Sequence, residues 1–210
     1  MERSIPLREW KKAKTKQALL HACLELIGEK SFREVYVEEI CKKAEISKVT
    51  FFKFFPQKED LLIYYMRLWV TDRLLELADS PKRGLSALRH VFQKVDENAK
   101  QHPGIMLSLI GFLTDVKMHP CMPELTEAEL HLYYPGKEEQ AGSLVPRLDD
   151  LFRRCVEQAM ADGEIAADAD VNDLVMGLHT IFYGAYLTAH IYQSQDFLGC
   201  YELHAKLLFR

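Results

Sequence analysis

The stretch from Val37 to Leu62, VEEICKKAEISKVTFFKFFPQKEDLL, constrains this chain more than any other, because it contains two short amphipathic segments separated by a tight polar break. In the first, Val37, Ile40, Cys41 and Ala44 share one face of a helix, while Glu38, Glu39, Lys42 and Lys43 point away, so that face must be covered by another element. Glu45 and Ile46 form the break, and Ser47 stands where its hydroxyl oxygen caps the next helix, expected from Ser47 to about Phe55. Phe51, Phe54 and Phe55 can face inward, which leaves Ser47, Lys48, Thr50, Phe52 and Lys53 outside. Such a short face of lysines, hydroxyls and one apolar ring suits a DNA major groove, where lysine meets guanine or phosphate and apolar groups meet thymine methyls. Pro56 stops the helix, and Lys58 lies in the first turn of the next, placed to meet a phosphate.

The run Phe32, Val37, Ile40, Ala44, Ile46, Ser47, Lys48, Thr50, Phe51, Phe52, Phe55, Pro56, Lys58, Leu61 and Leu62, preceded by LLHACLELIGEKSF from Leu19 to Phe32, resembles the DNA-binding domain of the tetracycline-repressor (TetR) family. The likeness covers about Thr15 to Leu62. It implies an all-α chain, with a three-helix helix-turn-helix DNA-binding domain over residues 1–57 and a larger helical effector-binding and dimerisation domain over 58–210. It also implies a repressor that binds a palindromic double-stranded operator as a homodimer and leaves it when a small, mainly apolar effector binds. By position, the DNA-binding set is Thr15, Lys16, Tyr36, Ser47, Lys48, Val49, Thr50, Phe52, Lys53 and Lys58. Four residues depart from the family pattern. Glu45 and Val49 replace frequent glycines, Phe52 a frequent tyrosine and Val35 a frequent threonine. A left-handed Glu45 would cost about 1 kcal/mol. These changes alter the surface that an operator meets and leave the fold intact.

At 210 residues, with 48% hydrophobic and 28% charged residues, the chain can bury a sizeable core. Its net charge of −4 hides an asymmetry: residues 1–62 hold 13 Lys and Arg against 10 Asp and Glu, and the remainder 14 against 21. A basic head on an acidic body fits nucleic acid binding through the head alone. Cys23, Cys41, Cys121, Cys155 and Cys200 include no CxxC pair and read as free thiols in a reducing cytosol. The opening MERSIPLREWKKAK lacks the apolar core of a signal peptide, and no apolar run approaches a bilayer span. A cytoplasmic protein with no membrane contact and no cofactor is expected.

The helix beginning at Lys58 runs to about Ala78 without Gly or Pro, a rod able to couple head to body. A second helix carries Leu85, Leu88, Val91, Phe92 and Val95 to about Lys100. The apolar run IMLSLIGFL, Ile105 to Leu113, is expected at the centre of the body. Residues Lys117 to Gly142 are broken by prolines and glycines, with one short helix expected between Leu125 and Tyr134. Helices near 143–161 and 171–194, the latter bearing Gly177, Gly184, Ala185 and Ala189, are expected to form half of a four-helix bundle across a two-fold axis. A last helix, Leu198 to Phe209, is expected on the outside.

Met106, Leu109, Phe112, Leu113, Tyr133, Tyr134, His179, Phe182, Tyr183 and Tyr186 offer an aromatic lining for the effector. Alternatives are a metal site from His119, Cys121 and His131, or a reactive Cys121 thiol, either serving as a sensor on the same scaffold. No Gly-rich phosphate loop, GxSxG or HExxH is present, so an enzyme is not expected, although a helical enzyme and an architectural DNA-binding protein stay open.

Overall fold

In the computed structural model, which describes residues 5–29, 31–115 and 121–209, all regular structure is helical. The head starts with α1 (Leu7–Glu29), whose buried Leu19, Leu20, Cys23 and Ile27 form its inner stripe. A single 3-10 turn, Phe32–Glu34, leads into α2 (Val37–Lys43), α3 (Lys48–Phe54) and α4 (Asp60–Ala78). At the end of α2, the Ile46 N–H donates to the Cys41 carbonyl (2.9 Å) and that of Glu45 to Lys42 (3.3 Å). This is the Schellman pattern, and it requires a left-handed residue at its corner. Glu45 fills that position with φ +56°. Ser47 then caps α3 by accepting the Thr50 N–H at 3.2 Å. Phe51 and Phe55 are fully buried, whereas Phe54 is only half-buried. Their rings continue to Tyr64 of α4, with centroids 5.9 Å apart between Phe51 and Phe55 and 5.7 Å between Phe55 and Tyr64.

The body comprises α5 (Gly84–Gln101), α6 (Ile105–Asp115), α7 (Glu127–Tyr133), α8 (Glu138–Ser143), α9 (Leu148–Ala161), α10 (Val171–Ile191) and α11 (Phe197–Leu208). Its core lies among α5, α9, α10 and α11, around Val91, Phe92, Phe152, Val156, Leu178 and Tyr201. The last helix lies on the outside, as expected, and anchors itself in that core through one buried residue, Tyr201. Tyr201 is fully buried, stacks on Phe92 at 4.6 Å and donates its hydroxyl to the Phe182 carbonyl at 2.7 Å.

Other expectations also shift. Helix α9 begins at Leu148 rather than Ser143, because Pro146 disfavours helical geometry at Val145. Helix α6 flanks the body instead of occupying its centre. Ile105, Met106 and Leu109 are buried, while Ile110, Phe112 and Leu113 stay partly exposed. The short helix expected between Leu125 and Tyr134 is present as α7, and a second, α8, follows it unforeseen. Helix α10 does reach the length and hydropathy of a bilayer span, against expectation. It packs on α9 and α11, with Leu174, Val175, Leu178, Phe182 and Tyr186 buried.

Head and body are joined around one carboxylate. Glu129 of α7 is buried and accepts hydrogen bonds from Lys16 Nζ of α1 (3.0 Å), Tyr64 Oη of α4 (2.7 Å), and the Thr126 N–H (2.9 Å) and Oγ1 (2.6 Å). Burial alone would raise its pKa, but these donors outweigh burial and hold the carboxyl below its usual value of 4.5. Its stabilisation is therefore present above the usual carboxylate range and is lost as pH falls through the lower folded-state value. Glu129→Gln is expected to lower unfolding free energy in urea by about 2 kcal/mol at pH 7, and the gap to wild type should close as pH falls through the lowered folded-state value of Glu129. Glu45→Gly, which relieves the left-handed corner, is expected to gain about 0.5–1 kcal/mol in the same assay.

Candidate DNA-binding surface and effector cavity

The face of α3 turned away from Phe51 and Phe55 is open to solvent. Ser47, Lys48, Phe52 and Lys53 are exposed on it, and Val49 is 82% exposed. The Ser47 and Thr50 hydroxyls lie 2.9 Å apart, and Lys48 is paired with Glu38 of α2. Tyr36, at the start of α2, is 65% exposed. Beside α3, a groove is lined by Leu7, Arg8, Lys11, Lys12, Thr15, Thr50, Lys53 and Phe54, with no acidic side chain in its wall. Sequence reasoning assigned no role to Arg8, Lys11 or Lys12 in this groove. The signal was their spacing of three or four on α1, which places Arg8, Lys11, Lys12 and Thr15 along one side.

Two expected phosphate ligands point elsewhere. Lys16 reaches Glu129, and its ammonium lies 5.4 Å from the Tyr64 ring centroid. Lys58 donates to the carbonyls of Phe32 (2.8 Å) and Val35 (3.0 Å) and lies 4.5 Å from the Phe32 ring centroid. Carbonyls at the end of a short 3-10 turn are strong acceptors, that of Phe32 also taking the Val35 N–H, so this ammonium ties the start of α4 to the linker ahead of α2.

Between α4, α5, α6 and α10 lies a narrow cavity of about 50 Å³. Of the ten expected lining residues, Met106, Leu109, Phe182, Tyr183 and Tyr186 reach it. The other five do not. Tyr133 and Tyr134 sit across α4, beside a groove that also holds His21 and His102. Phe112 faces an open cleft with Phe32 and Arg33, and Leu113 is on the outer part of α6. His179 packs edge-on against Phe152 at 5.2 Å, with Asp149 3.8 Å away. Burial lowers its pKa, and Asp149 opposes that shift. The sequence reading missed the contribution of α4, Tyr65, Met66, Trp69 and Val70, and that of Asn98 on α5. Asn98 was legible as a polar residue continuing the apolar stripe Leu88, Val91, Val95.

His119 lies outside the described residues. Cys121 is exposed, and His131 makes its contacts with Glu127, Glu138 and Trp10. Among the described residues, no group of His, Cys, Asp and Glu could hold a metal ion. Cys23 and Cys155 are buried thiols whose pKa values burial pushes up to about 12.

Comparison with known proteins places these features. Residues 19–65 match the family model for bacterial regulatory proteins of the tetR family, and residues 126–200 match that for the tetracyclin repressor-like C-terminal domain. The transcriptional regulator AcuR of Cereibacter sphaeroides is 28% identical over 184 residues, covering 86% of this chain and 78% of that protein. The fold is similar to that of Thermus thermophilus FadR, a TetR-family repressor solved with lauroyl-CoA (TM-score 0.61, 21% identity, 92% of each chain). It is also similar to the reduced form of Escherichia coli NemR (TM-score 0.60, 18% identity, 93% of this chain and 98% of that one). The chain belongs to the TetR family of DNA-binding transcriptional regulators.

Proposed function

We propose that this protein is a repressor that binds a palindromic operator as a homodimer and is released when a small, mainly apolar molecule enters the cavity beside α4. The observation that carries this reading is the division of α3: Phe51 and Phe55 are sealed in the head core, while Lys48, Val49, Phe52 and Lys53 stand outward. In the proposed complex these side chains, with Ser47, Thr50 and Tyr36, meet the major groove, and Arg8, Lys11, Lys12 and Thr15 meet the flanking phosphates. Lys16 and Lys58 support the head from within.

One such head reads too few base pairs for useful affinity, so a second copy is needed. An exposed stripe on α10, Met176, Thr180, Leu187 and Ile191, lies on the same side as the open face of Gly184 and is accompanied by exposed Leu203 and Leu207 on α11. That stripe supports a dimer through α10 and α11. Helix α9, the other candidate from sequence, has Leu151, Phe152, Cys155 and Val156 buried in its own core. A ligand in the cavity touches Tyr65, Met66, Trp69 and Val70 of the helix that carries the head, so filling the cavity shifts α4 and with it the spacing of the two heads. It does so only to the extent that it binds the released state more tightly.

Selection from a random duplex library should recover an inverted repeat with half-sites about one turn, roughly 34 Å, apart or somewhat more. Val49→Glu should recover none, and a library with no repeat in the wild-type pool would overturn the reading. Leu187→Glu combined with Ile191→Glu should give a folded monomer in sedimentation, with operator affinity lower by about 100-fold or more.

A further inference from the structure

None of the fourteen residues lining the cavity is charged, so a charged ligand would surrender its hydration there without a counter-charge. The polar groups on the wall are the hydroxyls of Tyr65, Tyr183 and Tyr186, the Trp69 indole N–H and the Asn98 amide. The hydroxyl of Tyr186 is already donated to the Pro103 carbonyl at 2.9 Å. Asn98 of α5 donates its Nδ2 to the hydroxyl of Tyr65 on α4 at 2.5 Å. Its Oδ1 is buried and has no hydrogen-bond partner. A buried amide oxygen left without a donor is costly, and such groups in native proteins ordinarily have a protein, water or ligand partner. If the amide is turned over, Tyr65 donates to Oδ1 and Nδ2 becomes the unmatched atom, so in either orientation at least one hydrogen bond of the amide is left to be made. A ligand hydroxyl can make either one. A ketone or ether serves only the second, and a hydrocarbon serves neither.

The geometry points to a neutral, slender molecule that carries one hydroxyl on an otherwise apolar body, held by Asn98 while its remainder lies against Trp69, Met106 and Phe182. This rests on the cavity being the effector site. It goes further in naming the chemical class and the residue that selects it. Bound in this way, the hydroxyl closes a chain from α5 through Asn98 to Tyr65, and so to the helix that carries the DNA-binding head.

The test uses the full-length protein and three probes of nearly one shape: 4-propylphenol, propylbenzene and 4-propylbenzoate, each titrated by calorimetry. Propylphenol is expected to bind about tenfold or more tighter than propylbenzene, and propylbenzoate most weakly. In Asn98→Leu, or in Asn98→Ala if the leucine variant does not fold, the advantage of the phenol over the hydrocarbon should fall to about one. Propylbenzene itself should bind at least as well to the leucine variant. Tightest binding of the benzoate, a phenol advantage that survives both substitutions, or binding of none of the three would overturn the inference. Wild-type protein that binds none of the probes but still recovers an inverted repeat would sink the inference alone. Protein that binds propylphenol in the expected order but recovers no repeat would sink the DNA-binding reading alone.

Discussion

One helix belongs to two cores at once, and the rest of the molecule is arranged around that fact. Leu61, Leu62, Tyr64, Tyr65 and Leu68 of α4 are buried with the head, Leu77 is buried with the body, and Trp69 packs against both. Close-packed interiors transmit displacement because side chains cannot slide past one another without opening voids. A rod of 19 residues, roughly 28 Å long, thereby ties the attitude of α3 to the packing around the cavity.

The Glu129 network adds a polar constraint to this apolar one. Ion pairs taken out of water are seldom strong net stabilisers, since desolvation offsets most of their attraction. In some proteins their role is to specify one packing over others. Lys16, Tyr64 and Thr126 satisfy the carboxylate from three separate elements, so the register of α7 against α1 and α4 is fixed by one buried charge that few alternative packings can satisfy. The Phe51, Phe55 and Tyr64 rings fix the recognition helix in a complementary way, through shape rather than charge.

Much of the head was legible from spacing. Val37, Ile40 and Cys41 set one short helix and Ser47 the start of the next, while the left-handed corner at Glu45 was signalled by the resemblance, in which a glycine is frequent there. The directions of Lys16 and Lys58 were not legible. Both depend on acceptors far away in the chain, Glu129 in one case and the carbonyls of Phe32 and Val35 in the other. Local pattern cannot report where a long side chain finds its partner. The cavity was half legible for the same reason. Aromatic residues on α6 and α10 advertised it, but Tyr133, Tyr134 and His179 have the same composition and lie elsewhere, and only tertiary packing separates the two sets.

Lys16 and Lys58, held inside the head, are removed from the pool of cations that a polyanion can recruit, and Lys48 is engaged with Glu38 until something displaces it. Each phosphate contact that a protein makes frees condensed counterions, and indiscriminate attraction to nucleic acid grows with the number of such contacts. A head that keeps two lysines for its own architecture and pairs Lys12, Lys43 and Lys48 with carboxylates offers fewer free cations to arbitrary sequence. In the proposed complex, discrimination then falls more heavily on the few side chains of α3 that stand outward from the head core.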